Sequence, residues 1–135
     1  MTETMLSTPR RLDRDTVLHL PGDLAAAYLA VDAAYWDHRD QHAELSEGRI
    51  LSIFDYASTW TWWERHPIGD ELALLLSGEA VLLLEDALGD RSEVPLSAGM
   101  SAIIPAGSWH SARIAESATI LFVTPTPART EHRPV

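Results

Sequence analysis

The stretch from Trp62 to Gly78 constrains this chain more than any other. It opens with Trp62-Trp63-Glu64-Arg65-His66, continues through Pro67-Ile68-Gly69-Asp70, and ends on the apolar run Leu72–Leu76 before Ser77 and Gly78. The Pro/Gly/Asp segment is turn chemistry, and the runs on either side have strand character. Strand side chains alternate between faces, so Glu64 and His66 point the same way. A short turn can then bring Glu71, at the start of the returning run, opposite His66. Imidazole and carboxylate gathered on one face suit a divalent metal.

A second stretch, Gly99 to His110, has the same build: a strand, a Pro105-Ala106-Gly107 turn, and then a histidine. From Arg49 onward the whole chain reads as short strands separated by turns. The expected strands are Arg49–Phe54, Thr59–His66, Glu71–Leu76, Ala80–Glu85, Ser92–Leu96, Ser101–Ile104, His110–Ile114 and Thr119–Thr124. Ser77-Gly78-Glu79 reads as a hairpin turn. Such a pattern predicts an all-β sandwich or barrel. Ahead of it, Thr16–Leu20 is a short strand and Pro21-Gly22-Asp23 a turn. Leu24–Leu45 admits two readings. In one, Leu24, Tyr28, Val31 and Tyr35 lie on one face of a helix capped by Asp23. In the other, Leu24–Val31 is extended and a shorter helix starts after Asp32. Both put a helical piece at Ala33–Arg39.

The two His-bearing stretches resemble the paired motifs of the cupin family. The first family motif places two histidines one residue apart, then a glutamate, then a glycine. The second histidine, glutamate and final glycine match His66, Glu71 and Gly78. The second motif matches at Gly99, Pro105, Gly107 and His110. Three positions depart from it: Glu64 stands for the first metal histidine, Ser58 for the opening glycine and Ile114 for the closing asparagine. The resemblance runs from Ser52 to Thr124. It implies an all-β, double-stranded β-helix or jelly-roll cupin barrel, here with a short N-terminal helical segment. It also implies a metal site on Glu64, His66, Glu71 and His110. That donor set suits one divalent transition metal, Zn, Mn, Fe, Ni or Co, without choosing among them. The alternatives are two core histidines satisfied by hydrogen bonds, a Glu71–Arg65 ion pair at the rim, and a Glu64 neutralised by a proton or an arginine.

Alternation carries the same face back along the strand to Trp62, Trp60 and Tyr56. These three residues are expected to wall a ligand pocket, a planar or apolar molecule being the natural occupant. Core filling is the competing account of the tryptophans. Trp63 and Trp109 are expected to face away. His38 and His42 have helical spacing but sit among Asp37, Arg39, Asp40 and Gln41, which favours a solvated face. His19 and His132 read as surface or terminal residues.

At 135 residues the chain is expected to form one domain at 16–125, with an N-terminal arm at 1–15 and an extended tail at 126–135. With no cysteine, disulfides and thiolate ligands are excluded. A formal net charge of −10 argues against nucleic acid or an anionic membrane as partner. No apolar run approaches the ~20 residues of a membrane span, and the charged N-terminal residues do not read as a secretory signal. The expected location is the cytoplasm. Leu72–Leu76 and Val81–Leu84 are apolar without alternation, so both of their faces call for cover. A homodimer is the favoured cover and the N-terminal segment the alternative. Three functions fit: a metal-binding cupin with a small organic ligand, a metal-dependent isomerase, cyclase or oxygenase, and a non-catalytic sensor or accessory module.

Overall fold

The computed structural model describes residues 10–38, 41–126 and 130–135. Among these, ten strands and one α-helix follow the chain. They are β1 (Thr16–Leu20), β2 (Ala27–Ala30), α1 (Ala33–Asp37), β3 (Arg49–Tyr56), β4 (Trp62–Arg65) and β5 (Glu71–Glu85). Then come β6 (Arg91–Ser97), β7 (Ser101–Ile104), β8 (Trp109–Arg113), β9 (Ala118–Pro125) and β10 (Glu131–Pro134). A 3-10 turn, Ala43–Ser46, precedes β3. Of the expected N-terminal arm, residues 1–9 lie outside the described residues, as do Arg39 of the expected helix and 127–129 of the tail.

Every strand pairing is antiparallel. One sheet runs β2-β1-β3-β9-β5-β7 and the other β10-β4-β8-β5-β6. This is the all-β jelly roll that the resemblance implies, within the sandwich-or-barrel class that the strand pattern predicts. Strand β5 belongs to both sheets. Its first half pairs with β7 and β9, its second half with β6 and β8.

The hairpin expected at Ser77-Gly78-Glu79 is therefore replaced by one continuous strand, Glu71–Glu85. The chain irregularity there is real but of another kind. The register with β9 shifts between Leu75 and Ser77, and Gly78 has φ of 81°. A β-bulge with a positive-φ glycine bends a strand without ending it. The bulge also changes which side chains point inward. Glu71, Ala73 and Leu75 are buried before it, and Ala80 and Leu82 after it, so the buried set passes from odd to even positions. The two apolar runs thus do alternate in burial. Leu72, Leu74, Val81 and Leu83 are only partly buried, and Leu76 is exposed.

The main core draws on both sheets: Trp60, Leu75, Leu82, Leu96, Ile104, Ala112, Ile120 and Phe122 are among its buried members. A smaller cluster of Val17, Val31, Leu45 and Ile50 packs the N-terminal segment onto β3. Between β1 and β3 the chain follows the second of the two readings. Leu24 is fully exposed and in the left-handed region, so it contributes to no helical face. Ala27–Ala30 is extended, and Asp32 caps α1 by accepting from the Tyr35 N–H at 2.7 Å. No helix among the described residues is long and apolar enough to cross a membrane.

Gly78 is the test of this architecture. A Cβ there would lie 2.1 Å from the Ser117 carbonyl oxygen and 2.9 Å from the Ala118 Cα, both backbone atoms. Gly78→Ala is expected to lower the unfolding free energy by at least about 1–3 kcal/mol, from the left-handed backbone alone. An unchanged urea midpoint would rule out the bulge as the pivot of β5.

Candidate metal centre

The two turns that frame the site are tied to each other. The Asp70 carboxylate accepts from the Ala106 N–H at 2.9 Å, and Gly107 N–H donates to the His66 carbonyl at 2.9 Å. These bonds hold the end of β4 against the start of β8, where Glu64 and His110 are direct cross-strand partners. The run before β4 is tied to β8 too: Trp60 N–H donates to Ala112 O, and the Thr59 hydroxyl both donates to and accepts from the Ile114 backbone. Glu71, the first residue of β5, is turned inward by the same alternation that buries Ala73 and Leu75.

The result is that four side chains expected to share a site do meet. His66 Nε2 lies 3.1 Å from Glu71 Oε2, and His110 Nε2 lies 3.1 Å from Glu71 Oε1. Glu64 Oε2 stands 3.5 Å from His110 Nε2 and 3.9 Å from His66 Nε2. Glu64, His66 and His110 each offer a donor atom, and these atoms all lie within 4.8 Å of one another. His66, Glu71 and His110 are buried, and Glu64 is 22% exposed. Glu71 opens its strand as expected and is buried, and the Thr124 hydroxyl donates to its Oε2 at 2.6 Å. The rim ion pair considered for it does not form, because Arg65 pairs with Glu131.

The donor atoms are close but not mutually hydrogen-bonded. Among the described residues His66 Nε2, Glu71 Oε1 and His110 Nε2 have no partner of acceptable direction. Buried polar atoms are rarely left so. Imidazole nitrogens and carboxylate oxygens this close, with several left without a hydrogen-bond partner among the described residues, form a group that could hold a metal ion. A divalent cation fits that group by charge, by donor type and by the burial of its surroundings.

Without a metal, the electrostatics couple these groups to one another. Burial works against ionising Glu71, but His110 and His66 outweigh it and hold the carboxyl down at about 2. Burial likewise opposes charge on His110, yet Glu64 and Glu71 push the imidazole up to about 9. Glu64 is held well below the usual carboxylate range, because His110, His132 and the Trp62 indole N–H outweigh the effect of burial.

Next to these groups is a cavity of about 340 Å³. Trp36, Phe54, Tyr56, Trp60 and Phe122 give it aromatic walls, and Glu64, His66, Glu71, Thr124, Thr130 and His132 give it a polar side. Tyr56 and Trp60 thus line the cavity. Trp62 is not one of its lining residues. It stacks on Trp60, with centroids 4.7 Å apart, and donates its Nε1–H to Glu64 Oε1 at 3.0 Å. Burial together with Glu64 and Glu71 raises the Tyr56 hydroxyl above its ordinary pKa, so it remains a proton donor. Trp63 and Trp109 stack instead against arginines, Arg91 and Arg133 on the first, Arg65 and Arg133 on the second.

Of the other histidines, His38 is exposed, as its charged neighbours predicted, and His19 departs from expectation. His19 is buried, its Nε2 3.0 Å from the Glu47 carbonyl, and is not a surface residue. His38 and His42 share no helical face, since α1 ends at Asp37. His38 bonds back to the Ala34 carbonyl and His42 stacks on Tyr35. His132, read as terminal, lies directly opposite Glu64 across β10 and β4, with Nε2 3.4 Å from Glu64 Oε1. Thr130 Oγ1 is 3.1 Å from His66 Nδ1. Sequence reasoning missed Thr130, and for His132 it favoured a surface or terminal place over a fold-back onto a pocket. Their only signal was that Thr130 and His132 alternate with the charged Glu131 and Arg133.

A family model described as a cupin domain matches residues 53–124. Similar solved structures include a cupin-2 domain containing protein from Shewanella frigidimarina, 21% identical, with a TM-score of 0.49 over 57% of this chain and 70% of that one. A hydroquinone 1,2-dioxygenase from a Sphingomonas species, with 4-hydroxybenzoate bound, is 15% identical with a TM-score of 0.49 over 57% and 59%. An oxalate oxidase is 18% identical with a TM-score of 0.53 over 68% and 47%. This chain thus spans less than two thirds of these two enzymes, and the oxalate oxidase likeness is one of fold. No curated protein sequence matches the chain.

Without metal, the acid–imidazole cluster sets a pH window for stability. Glu71 has a lowered pKa, so its contribution is present above its ordinary value of 4.5 and is lost as pH falls through about 2. His110 has a raised pKa, so its contribution is present below 6.5 and is lost as pH rises through about 9. Chelator-treated protein is therefore expected to melt highest between about pH 4.5 and 6.5. The fall above that window should be blunted in His110→Gln. A melting temperature flat from the window through pH 9 would show that the imidazole is not charged by its neighbours.

Proposed function

This chain belongs to the cupin domain family, and from that premise we propose that its barrel binds a metal and a small organic molecule beside it. The observation that carries the reading is the convergence of Glu64, His66, Glu71 and His110 against an aromatic cavity. These four side chains would hold one divalent transition metal. Zn, Mn, Fe, Ni and Co all suit a set of two imidazoles and two carboxylates. Such a metal supplies Lewis-acid chemistry to an oxygen of the bound molecule.

The chain's own residues define the rest. Phe54, Tyr56, Trp60 and Phe122 exclude water and offer flat surfaces to a planar or apolar molecule. Tyr56 can donate a hydrogen bond to it. Trp60 has a buried indole N–H without a partner among the described residues, a second donor for a ligand acceptor. Glu64 in place of a neutral imidazole adds a negative charge, so two carboxylates balance a divalent ion. A centre of balanced charge favours a neutral ligand over an anionic one. We place the functional unit at residues 16–125 and the protein in the cytoplasm. A homodimer would cover Leu76 and Ile103, which the first sheet leaves exposed.

Purified protein reloaded with each metal in turn is expected to carry about one ion per chain. His66→Ala and His110→Ala should each lose most of it by elemental analysis, with metal-free folding checked by circular dichroism. A folded wild-type protein that retains no metal after reloading would remove this function. A neutral phenol should quench tryptophan fluorescence of the loaded protein, and Trp60→Leu should weaken that binding about tenfold or more.

A further inference from the structure

Strand β10 lies beyond residue 124, where the family match ends. It pairs with β4, the strand that carries Glu64 and ends one residue before His66, and it has no other strand partner among the described residues. Its register sets His132 against Glu64 and Glu131 against Arg65. Thr130, just ahead of the strand, reaches His66. Glu64 and His66 are thus each touched by a residue from the C-terminal segment.

The atoms involved make this more than an edge contact. His66 has two ring nitrogens. Nε2 faces Glu71 and Glu64, and Nδ1 faces the Thr130 hydroxyl at 3.1 Å. For Nε2 to offer a lone pair to a metal, the ring proton must sit on Nδ1, and there it needs an acceptor. The Thr130 oxygen is that acceptor. A hydroxyl can also donate when the proton sits on the other nitrogen, so it serves the metal-free ring as well. Glu64 shows the same division. Oε1 receives the Trp62 indole N–H at 3.0 Å and has His132 Nε2 at 3.4 Å. Oε2 is left facing His66 and His110. One carboxylate oxygen faces Trp62 and His132 while the other faces the two imidazoles, the arrangement of a one-oxygen ligand.

We propose that the C-terminal strand is a working part of the metal centre: Thr130 is a positioning residue that holds the His66 ring and can accept its Nδ1–H when Nε2 faces a metal, and His132, with Trp62, is a positioning residue that leaves Glu64 Oε2 facing the two imidazoles. The inference rests on the metal-binding reading above, and it adds residues that lie outside the matched domain.

The test is metal affinity against a chelating competitor, using Co(II) as the probe because its visible spectrum reports the ligand set. Thr130→Val removes the acceptor at nearly constant volume. It is expected to weaken Co(II) binding about 10–100-fold, and Thr130→Ser should restore it to near wild type. His132→Ala should weaken binding about tenfold and shift the Co(II) absorption bands, because the freed carboxylate changes its mode of attachment. A merely structural role would lower the melting temperature of the metal-free variants without separating serine from valine in affinity. If Thr130→Val disturbs folding, the comparison of Thr130→Ala with Thr130→Ser carries the same information. Wild-type binding retained in Thr130→Val and in His132→Ala would overturn the positioning roles and leave the metal site standing. Wild-type protein that takes up no Co(II) would overturn both.

Discussion

Two carboxylates and two imidazoles share a small and largely buried volume, and the rest of the fold is committed to keeping them there. Glu71 and His110 are almost wholly withdrawn from solvent, where an unpaired charge is costly. Their mutual attraction offsets the desolvation, as the lowered carboxyls and the raised His110 show. Removing one member of such a cluster leaves the others buried and unpaired, a penalty of about 3–5 kcal/mol in comparable cases. The cluster is therefore also a structural fastening between the two sheets, because Glu71 comes from the half of β5 that lies in the first, and Glu64 and His110 come from the second.

The barrel delivers these groups through ordinary strand rules applied twice. Alternation puts Glu64 on the inner side of β4, and antiparallel pairing sets it opposite His110 on β8. A bend at Gly78 lets β5 serve both sheets, so that the polar end of one half stands over the apolar core built by the other. The aromatic cavity follows from the same geometry. Trp60 and Phe122 belong to the core, Tyr56 packs against it, and all three line the cavity beside the charged groups.

Much of this was legible along the chain. The turn at 67–70 and the strand alternation around it brought Glu64, His66 and Glu71 into one argument, and Pro105 and Gly107 announced the approach to His110. Thr16–Leu20 and Ser101–Ile104 were legible to the residue, since a short alternating strand between turns has few other ways to fold. Other positions were not. Ser77-Gly78-Glu79 has the composition of a hairpin and is a bulge, because what separates the two is whether a partner strand continues past the glycine. Ser117 and Ala118 of another part of the chain decide that. Trp62 has the parity of a pocket wall but spends its indole on Glu64, and His19 looks like a surface histidine until the Glu47 carbonyl is brought to it.

What the sequence by itself determined is the chemistry available and the period at which it is presented: strands of alternating side chains, turns that only Pro and Gly explain, and acidic and imidazole groups at strand ends. Period and turn type are local properties, carried by each residue and its immediate neighbours. What only the tertiary structure decided is which distant groups share a boundary. The tail brings Thr130 and His132 to β4 by hydrogen bonding along a free edge, and nothing within the tail specifies that edge. Contact between segments far apart in the chain depends on the summed packing of both sheets, so those roles became visible only when the barrel was closed.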